Sequence, residues 1–231
     1  MTRRIGLLGG TFDPVHHGHL DAADAAHAAL RLDEVLFIPS HVPPHRPAQP
    51  HASVFHRFAM LALAVQGRPY VRLSDTELAR EGPSFTVDTL RRLHEFGLKP
   101  LQLFFILGAD AFAEIATWRA FPAVLDAANF VVIARPGTSL DDAMARHVEV
   151  ARRLRLGTGG LPAERAHGVA SAQNESETGV YAVEARTRDV SSTVIRERIA
   201  ARVPIDECVP GPVAAYITAQ GLYRTVGGLH G

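Results

Sequence analysis

The sequence predicts a single α/β domain, residues 1–231, built on a doubly wound parallel sheet of the Rossmann-like kind with a C-terminal helical portion. Three observations carry this. Apolar runs at 4–8 and 34–39 flank an alanine-rich stretch, 19–32, made of good helix formers, which gives a strand, helix, strand unit with room for a right-handed crossover. Runs at 101–108 and 130–134 are almost wholly apolar and rich in aromatic and β-branched residues, as central strands covered on both faces require. Helical patterns separate the strands, at 53–65 (Phe55, Phe58, Leu61, Ala62 and Val65 on one stripe) and at 84–96 (Val87, Leu90, Leu93). Residues 70–73 make a short strand. Further on, 141–156 reads as a basic amphipathic helix and 181–185 alternates as a late strand. Residues 191–201 form a helix behind a Ser-Ser-Thr cap, and a last helix spans 211–220 between Pro210 and Gly221. The stretch 139–178 is rich in Gly, Ala, Ser and Glu in its later part and reads as a mobile, solvated insertion within the domain.

Lys plus Arg equals Asp plus Glu at 24 each, so there is no net positive field to hold DNA or RNA, and any phosphate site must be local. The single cysteine, Cys208, excludes an internal disulfide framework and a CxxC metal cluster, in keeping with a cytoplasmic protein. No run has the form of a signal peptide or the length of a membrane span, so no membrane partner is expected. Of twelve histidines, eight fall between His16 and His56, which marks where the chemistry lies.

The first strand ends in Gly9-Gly10-Thr11-Phe12-Asp13-Pro14-Val15-His16-His17-Gly18-His19. A strand running through glycines into a helix near Gly18 puts backbone N–H groups and a helix amino end at the strand's carboxyl edge, which is an anion site. With His19 opening the helix and His16 just ahead of it, both imidazoles can face one ligand and donate to oxygens whose charge grows at a pentavalent phosphorus. A zinc site is disfavoured, since HExxH is absent and no cysteine partner exists. Neither GxGxxG after a strand nor GxxxxGK[ST] occurs, which removes the usual dinucleotide and Walker signatures. A second phosphate grip lies in Ser191-Ser192-Thr193-Val194-Ile195-Arg196, with hydroxyls at a helix amino end and Arg196 one turn on from Ser192.

The histidine loop together with this later helix resembles the nucleotidyltransferase superfamily with the (H/T)xGH signature, and more narrowly the nicotinate-nucleotide adenylyltransferases. The narrower resemblance rests on Pro43-Pro44-His45-Arg46, His56-Arg57-Phe58-Ala59-Met60, Glu81-Gly82-Pro83-Ser84-Phe85-Thr86-Val87-Asp88-Thr89-Leu90, Leu107-Gly108-Ala109-Asp110, Trp118, Ala134-Arg135-Pro136-Gly137, Tyr216-Ile217 and Gly221-Leu222-Tyr223. It spans nearly the whole chain except about 139–178.

The resemblance implies attack by the 5′-phosphate of nicotinate mononucleotide on the α-phosphorus of ATP, giving deamido-NAD and pyrophosphate. His16, His19 and Arg196 are then the catalytic groups. ATP meets Gly10, Thr11, Phe12, His16 and His19, with Gly108 and Asp110 at the adenosine and Ser192, Thr193 and Arg196 on the outer phosphates. The mononucleotide meets His45, Arg46, Thr86 and Trp118. Mg²⁺ rides on ATP phosphate oxygens and takes no protein ligand. Arg46 stands where many relatives have lysine, and Ser40-His41 where they often have asparagine, which puts that loop's contacts in question. The competing acceptors are nicotinamide mononucleotide and phosphopantetheine, and an enzyme of the last kind should lack the Pro-Pro-His-Arg and tryptophan segments. A regulator or nucleic-acid module that kept the fold without turnover is opposed by His16, His19, Arg196 and the balanced charge.

Overall fold

The computed structural model describes residues 3–43, 50–78, 82–134, 148–155 and 177–224. His45 and Arg46, and most of 139–178, lie outside them. The described strands are β1 (Ile5–Gly10), β2 (Glu34–Pro39), β3 (Val71–Leu73), β4 (Leu103–Gly108), β5 (Asn129–Ala134), β6 (Leu154–Arg155) and β7 (Val180–Glu184). The helices are α1 (His17–Leu30), α2 (Val54–Ala64), α3 (Thr86–Glu95), α4 (Ala109–Ala113), α5 (Val148–Ala151), α6 (Ser192–Ala200) and α7 (Gly211–Gln220).

Every pairing is parallel, in the order β3-β2-β1-β4-β5-β7-β6. The chain winds outward from β1 through β2 to β3 and then returns to place β4 on the other side of β1. The carboxyl ends of β1 and β4 therefore bound a topological switch point, where an open α/β sheet has its crevice.

Period-2 alternation sends side chains of each central strand into two cores. Ile5, Leu7, Leu103, Phe105, Leu107, Phe130 and Val132 enter one, against Leu90 and Leu93 of α3. Leu8, Phe104, Ile106, Val131 and Ile133 enter the other, beneath Leu20, Ala23, Ala26 and Leu30 of α1 and Met60 and Leu61 of α2. Both faces are apolar, which is why these strands read as unbroken hydrophobic runs. The buried Asn129 side chain is paired: it donates to the carbonyls of Leu101 and Leu103 and accepts from the Gly179 N–H.

Two local expectations need correction. The stripe Phe55, Phe58, Leu61, Ala62, Val65 is not the inner face of α2. Phe55 is 82% exposed, and the buried side chains are Arg57, Met60, Leu61 and Ala64. The helix is turned because the Arg57 guanidinium finds backbone acceptors inside, which hydrophobic periodicity does not register. Nor does a helix run through 141–156: the described part is helical only over Val148–Ala151, and Leu154 and Arg155 pair with Val180 and Tyr181 as an edge strand. A two-residue strand is too short to leave an alternation in the sequence.

Candidate active site

The histidine loop leaves β1 at Gly10 and turns at Phe12, whose φ of 51° lies in the left-handed region that few non-glycine residues occupy. Its ring is buried and packs on Phe37 and on the edge of His19. Burial of the ring helps hold the strained backbone in place.

Helix α1 starts at His17, two residues ahead of the expected opening at His19, with His16 at its N-cap and His19 at its third position. The His16 N–H donates to Nδ1 of His19 at 3.2 Å, and the two rings stack with centroids 3.6 Å apart. Because His19 Nδ1 accepts, the neutral ring carries its proton on Nε2. His16 is pushed down to about 4, first by burial and then by neighbouring His17, with Asp21 opposing, so it is neutral at physiological pH. Its Nδ1 is buried without a hydrogen-bond partner. His17 turns elsewhere: its N–H donates to the Cys208 carbonyl, and it lies beside the Arg188–Asp21 ion pair.

The second grip docks onto the first. Ser191 caps α6, accepting from the Val194 N–H. One turn apart on the helix, Ser192 Oγ donates to the Pro14 carbonyl at 2.9 Å and Arg196 Nη1 to the Asp13 carbonyl at 2.7 Å. Arg196 Nη2 also donates to Thr193 Oγ1. The expected pairing of hydroxyl and guanidinium on one face is therefore observed, and that face is held against the histidine loop.

Beneath the loop, the buried Asp13 carboxylate accepts from the N–H groups of His51 and Ala52 and from the Tyr223 hydroxyl. Arg57, 1% exposed, donates from Nη1 to the Thr11 carbonyl at 2.7 Å and from Nη2 to the His41 carbonyl at 3.3 Å. Burial lowers its pKa, with the charge of Asp13 opposing. The motif strings contain Asp13, Arg57 and Tyr223, but no spacing rule assigns these residues a role.

A cavity of about 200 Å³ opens at the switch point. Gly9, Gly10 and Thr11 line one side, Ser84, Phe85, Thr86 and Trp118 the other, with Phe105 and Leu107 of β4 between them. Trp118 is half-buried and meets Phe105 and Phe130 edge-on. It thus serves the core and the cavity wall together. Thr86 is the first residue of α3, and the segment ahead of it is tied to the 41–42 turn by His41 N–H to Ser84 Oγ and Ser84 N–H to the Val42 carbonyl. Arg119, also missed by the sequence reading, stands at the cavity over the Phe85 ring and pairs with Asp88. Gly108 and Asp110 lie at the end of β4 and in the first turn of α4, both exposed at the same sheet edge. A larger groove of about 1010 Å³, between α6 and α7, contains none of these residues.

Known proteins resemble this chain over nearly its whole length. The cytidylyltransferase-like family matches residues 7–198. A probable nicotinate-nucleotide adenylyltransferase of Roseiflexus sp. is 40% identical over 95% of this chain and 98% of its own length. One from Moorella thermoacetica is 37% identical over 96% of this chain and 92% of its own. Among solved structures, the nicotinic acid mononucleotide adenylyltransferase of Plasmodium falciparum complexed with NaAD superposes with a TM-score of 0.71 at 16% identity, covering 96% of this chain and 97% of that one. That likeness establishes the fold.

Proposed function

Because the chain belongs to the cytidylyltransferase-like family, and within it to the nicotinate-nucleotide adenylyltransferases, we propose that it transfers the adenylyl group of ATP to nicotinate mononucleotide, with the site residues assigned below. The observation that carries the assignment is the switch-point cavity, which brings Gly10 and Thr11 of the nucleotide loop within one volume of Thr86 and Trp118. The whole chain acts as one nucleotidyltransferase domain, in the cytoplasm, on small-molecule substrates.

In this reading the acceptor's phosphate oxygen forms a bond to the α-phosphorus as the bond to the β-phosphate bridge breaks, and pyrophosphate leaves with the electron pair. No covalent enzyme intermediate is needed. Negative charge spreads over the non-bridging oxygens, where preorganised donors have their largest effect. His19 donates from Nε2, and neutral His16, stacked on it, supplies a second imidazole. Ser192, Thr193 and Arg196 take the β- and γ-phosphates, exchanging their loop contacts for phosphate oxygens. Gly108 and Asp110 meet the adenosine. On the acceptor side the indole of Trp118 stacks on the pyridine ring, backbone N–H groups at Thr86 read the carboxylate, and His45 and Arg46 approach the mononucleotide phosphate.

The polar groups lining the cavity are backbone amides, the hydroxyls of Thr11, Ser40, Ser84, Thr86 and Thr89, the Arg119 guanidinium and one carboxylate, Glu77, which accepts from Thr89 Oγ1, while the Asp13 carboxylate is committed to His51, Ala52 and Tyr223. Such a donor set suits phosphate oxygens, so Mg²⁺ is assigned to those oxygens, arriving with ATP. When bound there it neutralises charge on the departing pyrophosphate.

The test is pyrophosphate release with ATP and Mg²⁺ against a panel of acceptors. Release is expected to be fastest with nicotinate mononucleotide. Equal or faster release with nicotinamide mononucleotide or phosphopantetheine would overturn the acceptor assignment, and no release with any of them would overturn the activity.

A further inference from the structure

Among the described residues Arg57 is the largest fully buried side chain, and it sits where α2 would otherwise present an apolar residue. Burying a guanidinium is costly unless it is well paired, yet among the described residues it donates to two backbone carbonyls and to no carboxylate, and its Nε is buried without a partner. Asp13 acts on it only through space. A stabilising ion pair is therefore a poor account of why an arginine occupies this position.

What the two carbonyls belong to is more informative. The first is the carbonyl of Thr11, the residue immediately before the strained turn at Phe12. In a trans peptide the C=O and the following N–H point in opposite directions. Drawing the Thr11 oxygen inward onto Nη1 therefore turns the Phe12 N–H outward, on the side away from Arg57. Nothing local favours that orientation, since φ of 51° is costly for phenylalanine. The second carbonyl is that of His41, in the turn that is stitched through Ser84 to the Thr86 wall of the cavity. One planar, rigid fork thus spans the loop on the nucleotide side and the turn on the acceptor side.

We propose that Arg57 is a positioning residue for adenylyl transfer: through the Thr11 carbonyl it aims the Phe12 amide at the triphosphate, and through His41 it fixes the spacing between the two substrate walls. The inference rests on the adenylyl-transfer reading above. Arg57 touches no substrate. Its effect reaches the reaction through two peptide planes, and misplacement of such a donor weakens its hold on the bound triphosphate and, more strongly, on the charge that grows in the transition state.

The experiment compares the parent with Arg57→Lys and Arg57→Met, using calorimetric affinities for Mg-ATP and for adenosine, steady-state kinetics with nicotinate mononucleotide, and thermal denaturation. Lysine keeps the charge but offers a point donor that cannot hold both carbonyls. For the methionine variant the expected result is Mg-ATP binding weakened at least tenfold with adenosine binding changed less than threefold, because only the phosphates use the Phe12 amide. In the kinetics kcat falls at least tenfold in the lysine variant, and further in the methionine variant, with KM for the mononucleotide changed less than threefold. Equal loss of adenosine and ATP binding, or a kcat loss that disappears once rates are corrected for folded fraction, makes Arg57 merely structural and overturns the proposal. So does unchanged ATP affinity in folded variants. A parent that binds ATP yet does not adenylylate nicotinate mononucleotide would defeat the acceptor assignment while leaving the binding comparison decisive for Arg57.

Discussion

His16 shows how a single side chain ties the site to pH. Its pKa in the folded protein lies near 4, against 6.5 for the ordinary imidazole, chiefly because the ring is buried. Above pH 6.5 both folded and unfolded forms are neutral and the residue exerts no pH-linked effect. As pH falls through 6.5 the unfolded chain takes up a proton that the folded one refuses, so stability declines, by about 2 kcal/mol at pH 5 and about 3 kcal/mol once pH passes below 4. Urea denaturation of the parent and of His16→Gln at pH 7 and pH 5 isolates this contribution from that of the carboxylates. The parent is expected to lose about 2 kcal/mol more than the variant over that interval, and parallel losses would refute the assignment. At this scale part of the candidate site was legible in the sequence. The spacing of His16, His19, Ser192 and Arg196 was readable because the first three sit at helix starts and Arg196 one turn further on, where residue type and position have local meaning. Asp13, Arg57 and Tyr223 escaped because their partners are backbone groups or side chains brought in by tertiary folding, and no local rule marks them.

The elements that carry the site depend on close approach. A Cβ on Gly18, in the first turn of α1, would come within 3.1 Å of His16 Nδ1 and 3.2 Å of the Arg188 carbonyl. Replacing an interior helical glycine by alanine ordinarily gains up to about 1 kcal/mol. Here that gain is set against a displaced imidazole, and the buried His16 ring has little space in which to give way. Gly18→Ala is therefore expected to melt within a few degrees of the parent while kcat falls at least tenfold, measured by denaturation and pyrophosphate release on one preparation. A variant with full activity would show that His16 tolerates the shift. The same reasoning explains which elements could be read in advance. Strands β1, β2, β4 and β5 are covered on both faces and announce themselves as apolar runs, whereas α2 turned away from its expected stripe because an arginine won the interior position. Edge strand β6, two residues long, had no pattern to show.

Across the whole molecule, the site is assembled from distant parts of the chain. Asp13 receives the Tyr223 hydroxyl at 2.8 Å across 210 residues, and the Arg196 guanidinium reaches the Asp13 carbonyl across 183. Burial first, and then the Asp13 carboxylate, hold the phenol of Tyr223 strongly toward its protonated, donating form. Tyr223→Phe leaves one oxygen of a buried carboxylate short of a partner, which should cost about 1–3 kcal/mol. For a chain of this size that corresponds to a fall in Tm of roughly 2–12 °C, and calorimetry showing no change would mean that water replaces the phenol freely. The doubly wound architecture was foreseeable because it follows from runs and crossovers. The closing of the chain's late segment onto its first loop was not, since nothing in either segment names the other. That closure also sets a timetable for synthesis. On the ribosome β1 and the histidine loop are covered by α1 and β2 within a few dozen residues, yet the carboxylate under the loop waits for its phenol until 210 residues later. A nascent chain therefore carries the histidines long before the Asp13 carboxylate has its full set of donors, and termination just ahead of Tyr223 yields a chain with every proposed phosphate ligand present but without the phenol beneath their loop.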